Sequence, residues 1–153
     1  MTGLIVVDHG SKLAAANEML EKVVALMAAT AGYNFEPIVA AHMELAEPSI
    51  AQALTDLYMM GVREAIVFPY FLSPGRHTQE DIPRLAREAA AGLAGMQVKV
   101  AEPFGLSPKL VDAALQRIRA CRDSKGGGEE AKIETTRLTA RGNRTTRRMR
   151  PQL

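Results

Sequence analysis

Four strand-like segments, three of them short apolar runs, each followed by a stretch long enough for three or four helical turns, constrain the fold of this chain more than any other feature. The first is Leu4-Ile5-Val6-Val7, the second Ile38-Val39-Ala40-Ala41, and the third Ile66-Val67-Phe68-Pro69-Tyr70-Phe71-Leu72; the fourth lies within residues 97–101. Strands that alternate with helices are joined by crossovers, which place the strands parallel and give the connections a right hand. The third run is apolar almost throughout, as a central strand covered on both faces requires. Strands are expected over Gly3–Asp8, Phe35–His42, Glu64–Leu72 and Gln97–Ala101.

The intervening segments carry helix signals. Leu20, Val23, Val24, Met27 and Ala28 recur at helical spacing within Ala14–Thr30, and Gly32 is the expected stop. Pro48 suits the first position of a second helix that Gly61 ends. Thr78 and Asp81 resemble a capping box in its Asp form, opening a helix to about Leu93 with Pro83 in its first turn. Ser107 and Pro108 cap a last helix that ends near Cys121. Together these elements predict an α/β fold, a flavodoxin-like three-layer sandwich around a four-stranded parallel sheet.

A length of 153 residues, 47% of them apolar, suits one domain with a real core. No apolar run approaches the roughly 18–20 residues of a membrane span. Met1-Thr2-Gly3 leads straight into a strand with no secretory layout, and the single Cys121 allows neither an internal disulfide nor a Cys-rich metal site, so a cytoplasmic protein is expected. Charge is unevenly spread. Residues 1–118 hold nine Lys/Arg against thirteen Asp/Glu, whereas residues 119–153 hold ten against four. Gly126-Gly127-Gly128 and the Thr/Arg-rich sequence beyond it cannot bury enough surface to offset ordering entropy. The expected organisation is a domain over residues 1–121 and a basic, disordered tail over residues 122–153. That tail has no aromatic residue for base stacking, which argues against a nucleic-acid partner.

The chain has three histidines, His9, His42 and His77, and each falls where a strand ends. Carboxyl ends of parallel strands share one rim, and ligands of open α/β sheets bind in the crevice outside it. Imidazole takes protons near neutral pH and binds transition metals, so a metal or proton-transfer site is expected there. In Asp8-His9-Gly10-Ser11 the glycine permits a sharp turn and Ser11 can cap the next helix. His42 reads equally as a ligand or as a buried structural histidine. Of the carboxylates beside it, Glu47 suits the helix start, whereas Glu44 has no such structural task. The loop Leu72-Ser73-Pro74-Gly75-Arg76-His77 is stiffened by its turn residues, and Arg76 can grip a carboxylate through its guanidinium fork. No phosphate-binding loop, dinucleotide fingerprint or nucleophile elbow occurs.

The segments VVDHGS, AHMELAEPSI and PYFLSPGRHTQEDIP resemble those of the small sirohydrochlorin chelatases, the CbiX/SirB type of the class II chelatase superfamily, and the resemblance spans roughly residues 3–120. It implies an enzyme, a lyase that inserts a divalent metal into sirohydrochlorin, on the siroheme route with Fe²⁺ or the cobalamin route with Co²⁺; Ni²⁺ is used in a related branch. It implies His9 and His77 as catalytic, metal-binding residues and Glu44 as a catalytic residue contacting metal or substrate. The loop Leu72, Ser73, Pro74, Gly75, Arg76 and His77 is implied to bind the tetrapyrrole, with Ser11 and Lys12 after the first strand. The metal is a substrate, no tightly bound cofactor is implied, and a homodimer is. Two positions depart from the family pattern: Lys12 precedes Leu13 and three alanines rather than further basic residues, and Thr78 stands where an aromatic residue often follows the Arg-His pair. The rival reading is a non-enzymatic carrier of metal or tetrapyrrole, which would use the same histidines without turnover.

Overall fold

The computed structural model describes residues 1–30 and 34–123. The described residues divide into two units, residues 1–112 and residues 113–123. Within the first unit, β1 (Thr2–Asp8), β2 (Ile38–His42), β3 (Glu64–Pro69) and β4 (Gln97–Val100) form one sheet. All pairings among these described strands are parallel, in the order β2-β1-β3-β4.

The strand alternation builds three layers. Leu4 and Val6 of β1 and Ala40 of β2 meet Leu20 and Val24 of α1 (Ala14–Thr30) on one face. Ile5 and Val7 of β1, Ala41 of β2 and Val67 of β3 face the other side. There they pack on Ile50, Ala53, Leu54 and Leu57 of α2 (Ile50–Met59) and on Ile82 and Ala86 of α3 (Ile82–Ala91). Burying each large aliphatic side chain contributes about 1.5–3 kcal/mol, so the larger α2/α3 cluster dominates cohesion. α4 (Pro108–Asp123) begins in the first unit and continues into the second.

The order of strands matters for function. The chain steps from β1 out to β2, then crosses back over β1 to reach β3. The connections leaving β1 and β3 therefore diverge onto opposite faces, and the carboxyl ends of these two central strands form the switch point outside which open α/β sheets bind their ligands.

Several boundaries differ from the sequence expectation. β2 begins at Ile38 rather than Phe35, although Phe35 still packs on the α1-side cluster. β3 ends at Pro69, and Tyr70 N–H extends the ladder by one bond to Val7 O at 2.7 Å. α2 starts at Ile50 and not Pro48, because Ser49 is the cap: its hydroxyl accepts from Gln52 N–H while Gln52 Oε1 accepts from Ser49 N–H at 2.7 Å. The Thr78/Asp81 capping box does not form. His77–Asp81 is a π-helical turn leading into α3, Thr78 reaches back to Gly75, and Asp81 engages His77. Pro83 lies in the first turn of α3 as expected, and α4 runs to Asp123, two residues past Cys121. The expected stop at Gly32 and residues 124–153 of the expected tail lie outside the described residues. No helix among the described residues is long and apolar enough to cross a membrane.

Candidate functional site

The β1 and β2 loops are zipped together beyond the strands. Asp8 and His42 are the last register pair, after which Met43 N–H donates to Asp8 O at 2.9 Å and Glu44 N–H to His9 O at 3.1 Å. This approach requires glycine at position 10. Its φ is +84°, and a Cβ there would lie 1.9 Å from the Glu44 carbonyl oxygen. The result is a fixed placement of Glu44 over the first turn, with Glu44 Oε1 at 2.8 Å from His9 Nε2. Both groups remain open to water, His9 at 43% and Glu44 at 53% side-chain exposure. His9 Nδ1 faces the Gly10 carbonyl at 3.2 Å.

His77 arrives from β3, at the start of the π-helical turn. Its ring lies 5.5 Å from that of His9, centroid to centroid, at an interplanar angle of 68°. The two imidazoles thus meet across the crevice between β1 and β3. Asp81 Oδ2 stands 2.9 Å from His77 Nδ1, the i,i+4 neighbour across the turn. That hydrogen bond, together with the Arg76 and Arg84 cations nearby, holds the Asp81 carboxyl below its ordinary range against a smaller desolvation effect. An ionised Asp81 can only accept, so Nδ1 of His77 carries a proton, and in the neutral form of the ring Nε2 holds the lone pair.

His42 is apart from this pair. Its ring is buried (1% exposed), and Nδ1 lies 2.6 Å from Asp8 Oδ1. The same Asp8 oxygen accepts from Gly10 N–H at 2.9 Å. His42 is therefore a buried, partnered histidine rather than a residue presented to the crevice.

The loop Leu72–Arg76 is exposed at the rim, with His77 at its end. Thr78 Oγ1 accepts from Gly75 N–H at 2.9 Å and donates to Gly75 O at 3.0 Å, which gives Thr78 a structural task at the position where the family pattern often has an aromatic ring. Arg76 is 79% exposed, with Glu80 at 3.9 Å. Lys12 is exposed after β1. Ser11 does not cap α1 directly: its hydroxyl accepts from Leu13 N–H at 3.0 Å, and Asn17 clamps the Ser11 backbone through both its amide atoms at 2.9 Å. Glu47 Oε2 accepts from Ser49 N–H at 3.0 Å, at the start of α2.

Sequence reasoning missed two partners, Asp8 and Asp81. The His-x-x-x-Asp spacing signals the second once the segment is helical; the first needed the β1–β2 register. Among the described residues, no three His, Cys, Asp or Glu side chains gather closely enough to hold a metal ion by themselves.

The CbiX family model matches residues 3–121. The chain belongs to the CbiX family. This CbiX-family chain is 42% identical over 120 residues to the chloroplastic sirohydrochlorin ferrochelatase of Arabidopsis thaliana, covering 78% of this chain and 52% of that protein. It is 26% identical over 139 residues to the sirohydrochlorin cobaltochelatase of Methanopyrus kandleri, covering 78% and 96%. The putative cobalamin biosynthesis CbiX protein of Marinobacter aquaeolei superimposes with a TM-score of 0.67 at 30% identity, covering 82% of this chain and all of that one. SirB of Bacillus subtilis subspecies spizizenii, solved in complex with cobalt, shares the fold with a TM-score of 0.70 at 22% identity. The chain spans about half the length of the Arabidopsis protein and of SirB.

Proposed function

We propose that this chain is a sirohydrochlorin metal chelatase, placing Fe²⁺ or Co²⁺ into sirohydrochlorin on the way to siroheme or cobalamin. The observation that carries the reading is the meeting of His9 and His77, 5.5 Å apart between ring centres at the β1/β3 crevice, with Glu44 on His9. Membership of the CbiX family supports the same reaction class.

Metal insertion requires two pyrrole N–H protons to leave and an ion to be handed over. The residues suit both demands. His77, with its proton fixed on Nδ1 by Asp81, offers Nε2 as a donor to Fe²⁺ or Co²⁺, both of which imidazole accepts. The His9 Nε2 to Glu44 Oε1 contact needs one proton between them, since a carboxylate and a bare ring nitrogen are both acceptors. When this half-exposed pair parts with the proton on Glu44, His9 Nε2 is free to take a proton from the macrocycle while Glu44 passes its own to water. General-base help of this kind contributes about 10²–10⁴ in rate. Arg76 and Lys12, both exposed at the rim, would hold carboxylates of the macrocycle. We further propose that two copies associate, the second supplying the lobe that longer relatives carry in one chain; a mass in solution equal to one chain would overturn this.

The test mixes the full chain with sirohydrochlorin and Fe²⁺, Co²⁺ or Ni²⁺ anaerobically and follows the visible spectrum against the uncatalysed reaction. Many turnovers per chain, lost in His9→Ala and in His77→Ala with folding preserved, are expected. Stoichiometric binding without turnover would make the chain a carrier, and near wild-type rates in either variant would remove that histidine from the mechanism.

A further inference from the structure

The mechanism above leaves one buried titratable side chain unused. His42 is fixed from two directions. Its backbone N–H donates to Pro48 O at 2.8 Å, and its ring lies within the fold at 1% exposure. Asp8 bridges from this fixed point to the catalytic turn, because its Oδ1 takes both the His42 Nδ1 contact at 2.6 Å and the Gly10 N–H at 2.9 Å. Gly10 in turn carries the carbonyl that His9 Nδ1 faces, and a Cβ on it would lie 3.1 Å from His42 Cβ.

We propose that His42 is a positioning residue for metal insertion: through Asp8 it sets the Asp8-His9-Gly10 turn and so the approach of His9 to Glu44 and His77. The inference rests on the metal-insertion reading of the site. A histidine that only filled space would be replaceable by any side chain of similar volume. Here the polar contact is what matters, since one carboxylate oxygen is shared between a buried ring and the turn amide. Outer-sphere groups of this kind typically change affinity or activity by about 10–100-fold when removed.

The two roles rank two substitutions in opposite order. His42→Leu keeps the volume and removes the hydrogen bond. His42→Asn loses volume but keeps an N–H near the position of Nδ1. Positioning predicts that His42→Leu lowers kcat by about 10–100-fold with KM for both substrates nearly unchanged, while His42→Asn recovers most of the loss although it is the less stable protein. Equal or higher kcat in the leucine variant would overturn the proposal. Should His42→Leu fail to fold, Asp8→Ala against Asp8→Asn makes the same comparison from the other partner, the amide oxygen of Asn still being able to accept both bonds; a kcat for Asp8→Ala equal to that of Asp8→Asn would refute the strut. Amide hydrogen exchange at Gly10 is read on the same proteins without any substrate. Faster exchange in His42→Leu and Asp8→Ala than in the wild type supports the strut, and unchanged exchange refutes it, whether or not the chain proves to be a chelatase.

Discussion

Replacing Gly10 by alanine forces two costs onto one peptide. The residue sits at φ +84°, and its added methyl would fall 1.9 Å from the Glu44 carbonyl oxygen, which is backbone and cannot rotate aside. Holding an L-residue in the left-handed region costs about 1–2 kcal/mol. Relieving the overlap means parting the two loops, and with them the Met43–Asp8 and Glu44–His9 backbone bonds. Each such bond contributes about 0.5–1.5 kcal/mol net. The sum is a destabilisation of about 2–5 kcal/mol, large for a domain whose total stability is typically about 5–15 kcal/mol. Urea unfolding reads it directly as a lower midpoint at unchanged slope. Because Glu44 leaves His9 in the same movement, metal insertion should fall further than the folded fraction does. Gly75 provides the control: a Cβ there meets nothing within 4 Å and its φ is not positive, so Gly75→Ala should stay within about 0.5 kcal/mol of wild type. An unchanged midpoint for Gly10→Ala, or equal losses for both alanines, would refute the account of how the loops are joined.

Ser49→Ala removes the hydroxyl of the α2 capping box and should cost about 1 kcal/mol in urea unfolding while leaving turnover intact. Lys99 donates to Glu64 at 3.0 Å and holds that carboxyl below its ordinary value, so the pair's stabilisation is present above the unfolded carboxylate value and is lost as pH falls through the lowered folded one. Lys99→Met should therefore be slightly less stable than wild type at neutral pH, with thermal midpoints converging on acidification; a gap that widens in acid would contradict the sign. Removing residues 124–153, which lie beyond the family match ending at residue 121, should leave the rate of metal insertion unchanged, and a large loss would assign the segment a part in catalysis or assembly.

The layered fold was legible because its signal is periodic: apolar runs such as Leu4–Val7 and Ile66–Phe68 are bounded by helix-length segments, and only a parallel sheet satisfies them all. Element ends were less legible where two local signals competed. Pro48 fits a first helical position, but the Ser49/Gln52 reciprocal bonds satisfy two otherwise orphan amides and win. Thr78 and Asp81 have capping-box spacing, yet Thr78 is drawn to Gly75 and Asp81 to His77. At the site, strand-end position alone singled out all three histidines, while the pairing of His42 with Asp8 depends on register between strands separated by a whole helix. No spacing along the chain encodes that contact, which is why the sequence left His42 open between ligand and buried structural histidine and gave no hint of its partner Asp8.

Each histidine rests on a carboxylate, but water reaches the three pairs differently, and this separates what each can do. His9–Glu44 is about half exposed, so its two members are free to part and to exchange a proton with solvent, as a relay must. His77–Asp81 has an exposed ring and a more covered acid, an arrangement that fixes the tautomer while leaving the other nitrogen available. His42–Asp8 has the ring sealed, and breaking one partner of such a pair leaves a polar group in the interior without compensation, a large penalty compared with that for an exposed pair. A contact that is costly to break makes a poor proton relay and a good anchor. On the proposed reading, the same chemistry placed at three depths would serve as a relay, an oriented ligand and a fixed post, and the β2-β1-β3 order brings the first two rings within 5.5 Å of each other while the third stays buried against Asp8.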